Sequence, residues 1–174
     1  MGIPNLLTFL RIILIPVFIL LFYLPFRGSH VLAAIIFIFA AMTDWLDGYL
    51  ARSLGQVSKL GTFLDPVADK LIVVTALVLL VGDRVLPYLA IPAIVIICRE
   101  IMVSALREWM AEIGKRTRIA VTRIGKIKTT VQMLALILLL LYKPGAWFAL
   151  ALSGHLLLYL AALLTVWRMS LYFK

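Results

Sequence analysis

Residues 31–81 read VLAAIIFIFAAMTDWLDGYLARSLGQVSKLGTFLDPVADKLIVVTALVLLV. Two apolar runs flank a polar middle, and the middle holds four of the eight acidic residues of the chain: Asp44, Asp47, Asp65 and Asp69. A helix that crosses a bilayer needs about 20 mainly apolar residues, and each run reaches that length when it is extended into the middle, over residues 31–52 and 62–81. The connection between these two spans is short. The stretch therefore predicts two neighbouring antiparallel membrane helices with acidic residues near one end.

The spacing of the aspartates predicts that they form a single cluster. Asp44 and Asp47 are three residues apart, and Asp65 and Asp69 are four apart. Both spacings place a pair on one face of a helix, so the two pairs can face each other. Converging carboxylates repel one another and need protons or cations. Clustered oxygen ligands favour Mg²⁺, Mn²⁺ or Ca²⁺, and two divalent cations would balance four carboxylates.

A simpler interpretation of the same residues is a set of solvated aspartates at the membrane interface. Their partners would then be Arg52, Lys59 and Lys70. Solvated charges have no reason to recur at helical spacing on two adjacent helices. The metal site is therefore the favoured interpretation.

The composition indicates that lipid covers most of the chain. Apolar residues make up 64% of the 174 residues and charged residues 14%, against about 45–50% and about 25% in soluble domains. We predict one all-α domain, residues 1–174, folded as an integral membrane bundle of six transmembrane helices. The expected spans are 6–26, 31–52, 62–81, 86–111, 127–141 and 146–167, with Gly61 just before the third.

The net charge of +9 predicts the orientation of the chain. Lys and Arg collect on the cytoplasmic side of membrane proteins, which accounts for most of the excess. The richest loop contains Lys115, Arg116, Arg118, Arg123, Lys126 and Lys128. This side is expected to be cytoplasmic, and an even number of spans then places both termini and the aspartate cluster there.

The polar segment also resembles a family signature. Asp44, Asp47, Gly48, Ala51, Arg52, Gly61, Asp65 and Asp69 match every fixed position of D-x-x-D-G-x-x-A-R-x8-G-x3-D-x3-D. This pattern is similar to that of the CDP-alcohol phosphotransferases, and six spans with short loops also resemble that family. A match at eight positions over 26 residues is specific.

The resemblance implies a reaction and roles for these residues. An alcohol attacks a CDP-linked lipid, CMP leaves and a phosphodiester forms. Asp44, Asp47, Asp65 and Asp69 would hold two divalent cations, Mg²⁺ or Mn²⁺, on the pyrophosphate, and Asp69 would also be the general base. The segment around Gly48, Ala51, Arg52 and Gly61 would bind the CDP group. The family resemblance also suggests a homodimer in the bacterial cytoplasmic (inner) membrane.

Further segments indicate which alcohol is the acceptor. Residues 3–11 (IPNLLTFLR), 99–108 (REIMVSALRE) and 125–129 (GKIKT) resemble the bacterial phosphatidylglycerophosphate synthases. That branch uses CDP-diacylglycerol and sn-glycerol 3-phosphate. A phosphorylated acceptor needs cations, so we expect Arg99, Arg107, Lys126 and Lys128 to bind its phosphate.

Each of these residues also has an ordinary structural explanation. Lys126 and Lys128 could merely follow the positive-inside rule. Arg99 lies within apolar sequence and could pair with an acid on another helix, since its neighbour Glu100 is not expected to face it. Asn5 and Thr8, candidates for the nucleotide or metal site, could instead cap the first helix.

Three other functions remain open from the sequence. The same family includes enzymes whose acceptor is inositol phosphate, serine or phosphatidylglycerol. Membrane prenyltransferases also use paired aspartate motifs, but these usually lie far apart in the chain. A divalent-cation transporter would carry acids near mid-bilayer and often a repeat of broken helices, neither of which is evident here.

Overall fold

The computed structural model describes residues 3–26, 28–54, 59–83, 88–113, 123–142 and 148–170. All regular structure in these ranges is helical. The prediction of an all-α chain with six helices is therefore confirmed for the described residues. The helices are α1 (Ile3–Tyr23), α2 (Ser29–Leu54), α3 (Lys59–Gly82), α4 (Ala90–Glu112), α5 (Arg123–Leu141) and α6 (Phe148–Ser170).

Two of the expected helix ends were wrong in ways that matter for the site. Gly61 lies inside α3, which begins at Lys59, and α2 continues past Arg52 to Leu54. Asp44 and Asp69 therefore lie two to three turns inside their helices rather than at the ends. Pro66 is also inside α3 and lacks an amide hydrogen, so the carbonyl of Thr62 loses its usual helical donor.

Contacts between residues divide the chain into two compact units. The first unit comprises Met1–Leu80 and Leu140–Pro144, and the second comprises Val81–Leu139 and Gly145–Lys174. In the first unit α1 packs against α2. Phe18 and Phe37 meet there with ring centroids 6.0 Å apart, and Ala33 and Ala40 are fully buried. Small residues at such positions let helix backbones approach closely.

In the second unit α4 packs against α6. The Tyr159 hydroxyl donates a hydrogen bond of 2.9 Å to the carbonyl of Tyr88, just before α4 begins. Tyr88 has a φ of 64°, an uncommon conformation for a residue other than glycine. A Cβ atom on Gly154 would lie 2.7 Å from the Cγ of Leu139, so any larger residue there would force the Leu139 side chain of α5 to move.

Apolar side chains also cover the outside of the described helices. Leu6, Ile13 and Leu20 form an exposed stripe along α1, and Leu156, Leu163 and Trp167 are exposed on α6. Among the described residues, Leu6–Tyr23 and Ala149–Trp167 are long and apolar enough to cross a membrane. Ser29–Asp44 and Ile127–Leu141 are shorter apolar stretches. Soluble monomers rarely expose such continuous apolar faces, so these helices indicate a membrane protein.

Candidate active site

Three of the predicted aspartates in the first unit make specific contacts with α1. The Thr8 hydroxyl donates a hydrogen bond of 2.5 Å to Oδ1 of Asp65. Nη1 of Arg11 donates to Oδ1 of Asp69 and lies 3.3 Å from Oδ1 of Asp44. α1 thus reaches carboxylates on both α2 and α3. We call Thr8, Arg11, Asp44, Asp65 and Asp69 the acidic cluster.

The burial of these groups is uneven. Arg11 is fully buried, whereas the side chains of Asp44 and Asp69 are 43% and 39% exposed. A buried guanidinium is stable only when anions and hydrogen bonds compensate its charge. Counted as ionised, the acidic cluster as defined holds three carboxylates and one guanidinium, and these residues together carry a negative excess. Because two of its carboxylates remain accessible, a cation from outside could reach them.

The donor set of the acidic cluster fits a hard divalent cation. All three acidic side chains offer oxygen, the donor that Mg²⁺, Mn²⁺ and Ca²⁺ prefer. Arg11 also shows that two carboxylates from different helices can share one positive group. Within the described ranges, however, no three His, Cys, Asp or Glu side chains form a ready metal site. The site of four aspartates and two metals stays a prediction, because the Asp47 side chain lies outside the described residues.

Other residues of the predicted CDP site are described only in part. Gly61 is buried in α3. Thr8 is the sixth residue of α1, so it does not cap that helix, and its hydroxyl bonds Asp65 instead. The remaining predicted residues lie on α1 or α2, and their surroundings are outside the described part of the structure: Asn5, Asp47, Gly48, Ala51 and Arg52.

The second unit contains a separate ion cluster on α4 and α5. Nη1 of Arg99 donates to Oε1 of Glu100 at 2.8 Å, and Nζ of Lys128 donates to the same oxygen at 2.7 Å. Arg99 and Lys128 are buried. We call these three residues the basic cluster, because two cations share one carboxylate. Arg107 and Lys126, also predicted to bind phosphate, lie on α4 and α5 with side chains outside the described residues.

The expectation that Glu100 would not face Arg99 was wrong. The expectation considered only that the side chains of consecutive helical residues leave the backbone in different directions. Both side chains are long, however, and Nη1 of Arg99 reaches Oε1 of Glu100, the oxygen that also accepts from Lys128 of α5. The partner of Arg99 is thus its own neighbour, and the residue that joins them from another helix is a cation rather than an acid.

Two residues of these clusters, Arg11 and Glu100, were not among the predicted site residues. Arg11 could have been found by the rule applied to Arg99, since an arginine inside an apolar span is either functional or paired. Glu100 carries a weaker signal. An acid beside an arginine within an apolar helix suggests that its carboxylate balances the charge of the arginine. Only the fold shows that Lys128 also contacts this carboxylate.

Comparison with known proteins identifies the family. Residues 1–167 match the family model of the CDP-alcohol phosphatidyltransferases. A protein of Escherichia coli (strain K12) is 52% identical over 98% of this chain and 92% of its own length. One of Salmonella typhimurium (strain LT2) is 51% identical over the same shares. Both are named CDP-diacylglycerol–glycerol-3-phosphate 3-phosphatidyltransferase. This chain therefore belongs to the CDP-alcohol phosphatidyltransferase family.

Proposed function

We propose that this protein transfers the phosphatidyl group of CDP-diacylglycerol to sn-glycerol 3-phosphate. The products are phosphatidylglycerophosphate and CMP, and the step belongs to phospholipid biosynthesis. The observation that carries the proposal is identity of 51–52% along 98% of the chain with proteins named for this reaction. The two clusters of opposite charge support it, because the reaction needs a cation site for the donor pyrophosphate and an anion site for the acceptor phosphate.

The acidic cluster is the proposed donor site. Asp44, Asp47, Asp65 and Asp69 would hold two divalent cations, Mg²⁺ or Mn²⁺. When bound, these cations would supply electrostatic stabilisation of the attacking and leaving oxygens of the transfer. Arg11 and Thr8 position three of the carboxylates from α1. The CDP group itself would contact Asn5, Thr8, Gly48, Ala51, Arg52 and Gly61.

Asp69 is the proposed general base. Its carboxylate would take the proton of the acceptor hydroxyl as that oxygen bonds to the phosphatidyl phosphorus and the bond from phosphorus to CMP breaks. A base must come within hydrogen-bonding distance of the proton that it removes. The accessible Asp69 side chain allows this approach, while its bond from Arg11 fixes one carboxylate oxygen.

The basic cluster is the proposed acceptor site. Arg99 and Lys128, with Arg107 and Lys126, would bind the phosphate of glycerol 3-phosphate. Arginine suits this task because its planar guanidinium presents a fork of donors to phosphate oxygens. Glu100 holds the two described cations close together despite their repulsion. Among the described residues of the basic cluster two cations share one carboxylate, and a bound phosphate would bring a second anion to them.

The proposed setting is the bacterial cytoplasmic (inner) membrane. Six spans would place both termini and the acidic cluster on the cytoplasmic side. The exposed apolar faces of α1 and α6 support membrane residence, and the match of the family model to residues 1–167 supports a single catalytic domain over residues 1–174. A homodimer is part of the same proposal.

The direct test measures CMP release from CDP-diacylglycerol by the purified protein with Mg²⁺. The acceptors are glycerol 3-phosphate, inositol phosphate, serine, phosphatidylglycerol and none, and D69N is the inactive control. We expect release that requires glycerol 3-phosphate and disappears in D69N. Release with a different acceptor would overturn the proposed substrate while keeping the family chemistry. No release with any acceptor, from folded and metal-loaded protein, would reject the proposed activity.

A further inference from the structure

Two buried polar atoms of the second unit have no hydrogen-bond partner among the described residues. They are Nε of Arg99 and Oε1 of Gln132. Arg99 is 6% exposed and Gln132 is 4% exposed. Buried polar groups in folded proteins are almost always hydrogen-bonded, and unpaired ones require an explanation. One of these atoms is a donor that needs an acceptor, and the other is an acceptor that needs a donor.

Both atoms belong to the surroundings of the basic cluster. Arg99 is a member of it. Gln132 follows Lys128 by four residues on α5, so the two side chains lie on one helix face, one turn apart. Lys128 bonds Glu100 of α4, which shows that this face of α5 is directed towards α4. The unpaired acceptor is thus one helical turn from an ion cluster that contains the unpaired donor.

The chemistry of the two atoms restricts the ligand that would satisfy them. A simple anion such as sulfate offers acceptor oxygens to Nε of Arg99 and gives Oε1 of Gln132 nothing. An uncharged alcohol could donate to Gln132, but it would add no anion to a cluster in which the two described cations share the one carboxylate of Glu100. A phosphorylated polyol supplies both, because its phosphate oxygens accept and its hydroxyl groups donate. Glycerol 3-phosphate is such a molecule.

We propose that Gln132 recognises the non-reacting hydroxyl group of the acceptor. Oε1 of Gln132 accepts a hydrogen bond from the hydroxyl on the central carbon of glycerol 3-phosphate, while Nε of Arg99 donates to the phosphate. The terminal hydroxyl of glycerol 3-phosphate loses its proton in the transfer, so the central hydroxyl is the hydroxyl of the acceptor that remains to donate to Gln132. This assignment rests on the proposed function, and it makes Gln132 a specificity-determining residue.

The test compares two acceptors that differ only in this hydroxyl: glycerol 3-phosphate and 3-hydroxypropyl phosphate. CMP release by the purified full-length protein gives kcat/KM for each. We expect the wild type to favour glycerol 3-phosphate by about tenfold or more, because the analogue leaves a buried acceptor unpaired. Q132M removes that acceptor and keeps the side-chain length. We expect it to lose activity with glycerol 3-phosphate, so that the ratio falls to near one.

The matched control is L136M, which alters packing one turn further along the same face of α5. Leu136 is fully buried, and the exchange conserves volume, so we expect the wild-type ratio. A wild-type enzyme that uses both acceptors equally overturns the inference even if Q132M does not fold. An unchanged ratio in Q132M also overturns it, and would indicate that a water molecule satisfies Gln132. Absence of release with glycerol 3-phosphate from the wild type would reject the proposed function and this inference together.

Discussion

Arg11 and Arg99 are both buried, but they lie in surroundings of opposite charge. Arg11 in the first unit contacts the carboxylates of Asp44 and Asp69, beside Asp65. Arg99 in the second unit shares the single carboxylate of Glu100 with Lys128. In the acidic cluster one cation serves several anions, and in the basic cluster one anion serves two cations.

This difference shows how buried charge can indicate the ligand. Burying an ion costs free energy unless an ion of opposite charge accompanies it. A cluster with unequal numbers of cations and anions balances only part of its charge. The missing charge must come from protons, solvent or a bound ion. A negative excess therefore suits a divalent cation, and a positive excess suits a phosphate. The two clusters together match the chemistry of a reaction between a pyrophosphate donor and a phosphorylated acceptor.

The largest effect should come from removing the proposed base of the acidic cluster. In D69N we expect kcat for CMP release to fall by about 10²–10⁴-fold, the usual contribution of a general base. The fold should persist, because the amide can still accept the bond from Arg11. The control is D83N, an aspartate beyond the end of α3, which should retain the wild-type kcat. Comparable losses in both variants would contradict a special role for Asp69.

The next largest effect should come from breaking the basic cluster. E100Q removes the charge that two buried cations share, and we expect the free energy of unfolding to fall by about 3 kcal/mol, as for other buried ion pairs. Thermal unfolding in detergent measures this. E108Q changes an exposed glutamate on the same helix and should alter stability by less than about 0.5 kcal/mol. Equal effects would mean that Glu100 is not a buried counter-ion.

Removing Arg11 sharpens the contrast between the clusters. R11M removes the guanidinium that Asp44 and Asp69 share, and we expect the free energy of unfolding to fall by about 2 kcal/mol in the presence of EDTA. The loss is smaller than in E100Q because Asp44 and Asp69 are partly exposed and water screens them. Saturating Mg²⁺ should restore most of the stability of R11M, since binding to the native state stabilises it.

Mg²⁺ should stabilise E100Q only as much as the wild type, because the acidic cluster is intact in both and a cation cannot replace the missing anion of Glu100. If Mg²⁺ narrowed the stability gap to the wild type as much in E100Q as in R11M, the assignment of opposite ligand signs would be contradicted.

The smallest effect should come from the hydroxyl of Thr8. T8V removes the hydroxyl that donates to Asp65, and we expect the free energy of unfolding to fall by about 1 kcal/mol. A hydrogen bond to a charged carboxylate stabilises the fold more than a hydrogen bond between two neutral groups. T165V is the control. The buried Thr165 hydroxyl bonds the carbonyl of Ala161 on its own helix, so its loss should cost less. A T8V variant as stable as the wild type would show that Asp65 does not depend on this bond.

Local patterns predicted the helices because apolar runs of sufficient length must satisfy their backbone groups internally. Such local patterns could not predict the contacts of Arg11 with Asp44 and Asp69, since these three residues lie on different helices and far apart in sequence. The segment 3–11 was recognised as part of the family resemblance, yet the charge of Arg11 within an apolar span was not used. Thr8 was a candidate for the nucleotide or metal site, and its bond to Asp65 supports that placement over capping.

The basic cluster shows a different limit. Arg99 and Lys128 were both expected near a phosphate, and the structure brings them together. The sequence rule about helical neighbours excluded Glu100 because it considers Cβ directions and ignores the reach of long side chains. Gln132 had no local signal at all. A glutamine in an apolar span becomes informative only when the fold shows that its oxygen is buried and unpaired.

The central claim is that the acidic cluster binds divalent cations and the basic cluster does not. Mn²⁺ binding, measured by electron paramagnetic resonance on the purified wild type, D65N and K128Q, tests it most directly. We predict two Mn²⁺ ions per chain in the wild type and in K128Q, and fewer or weaker sites in D65N. Equal Mn²⁺ binding in wild type and D65N, or a loss confined to K128Q, would contradict the account.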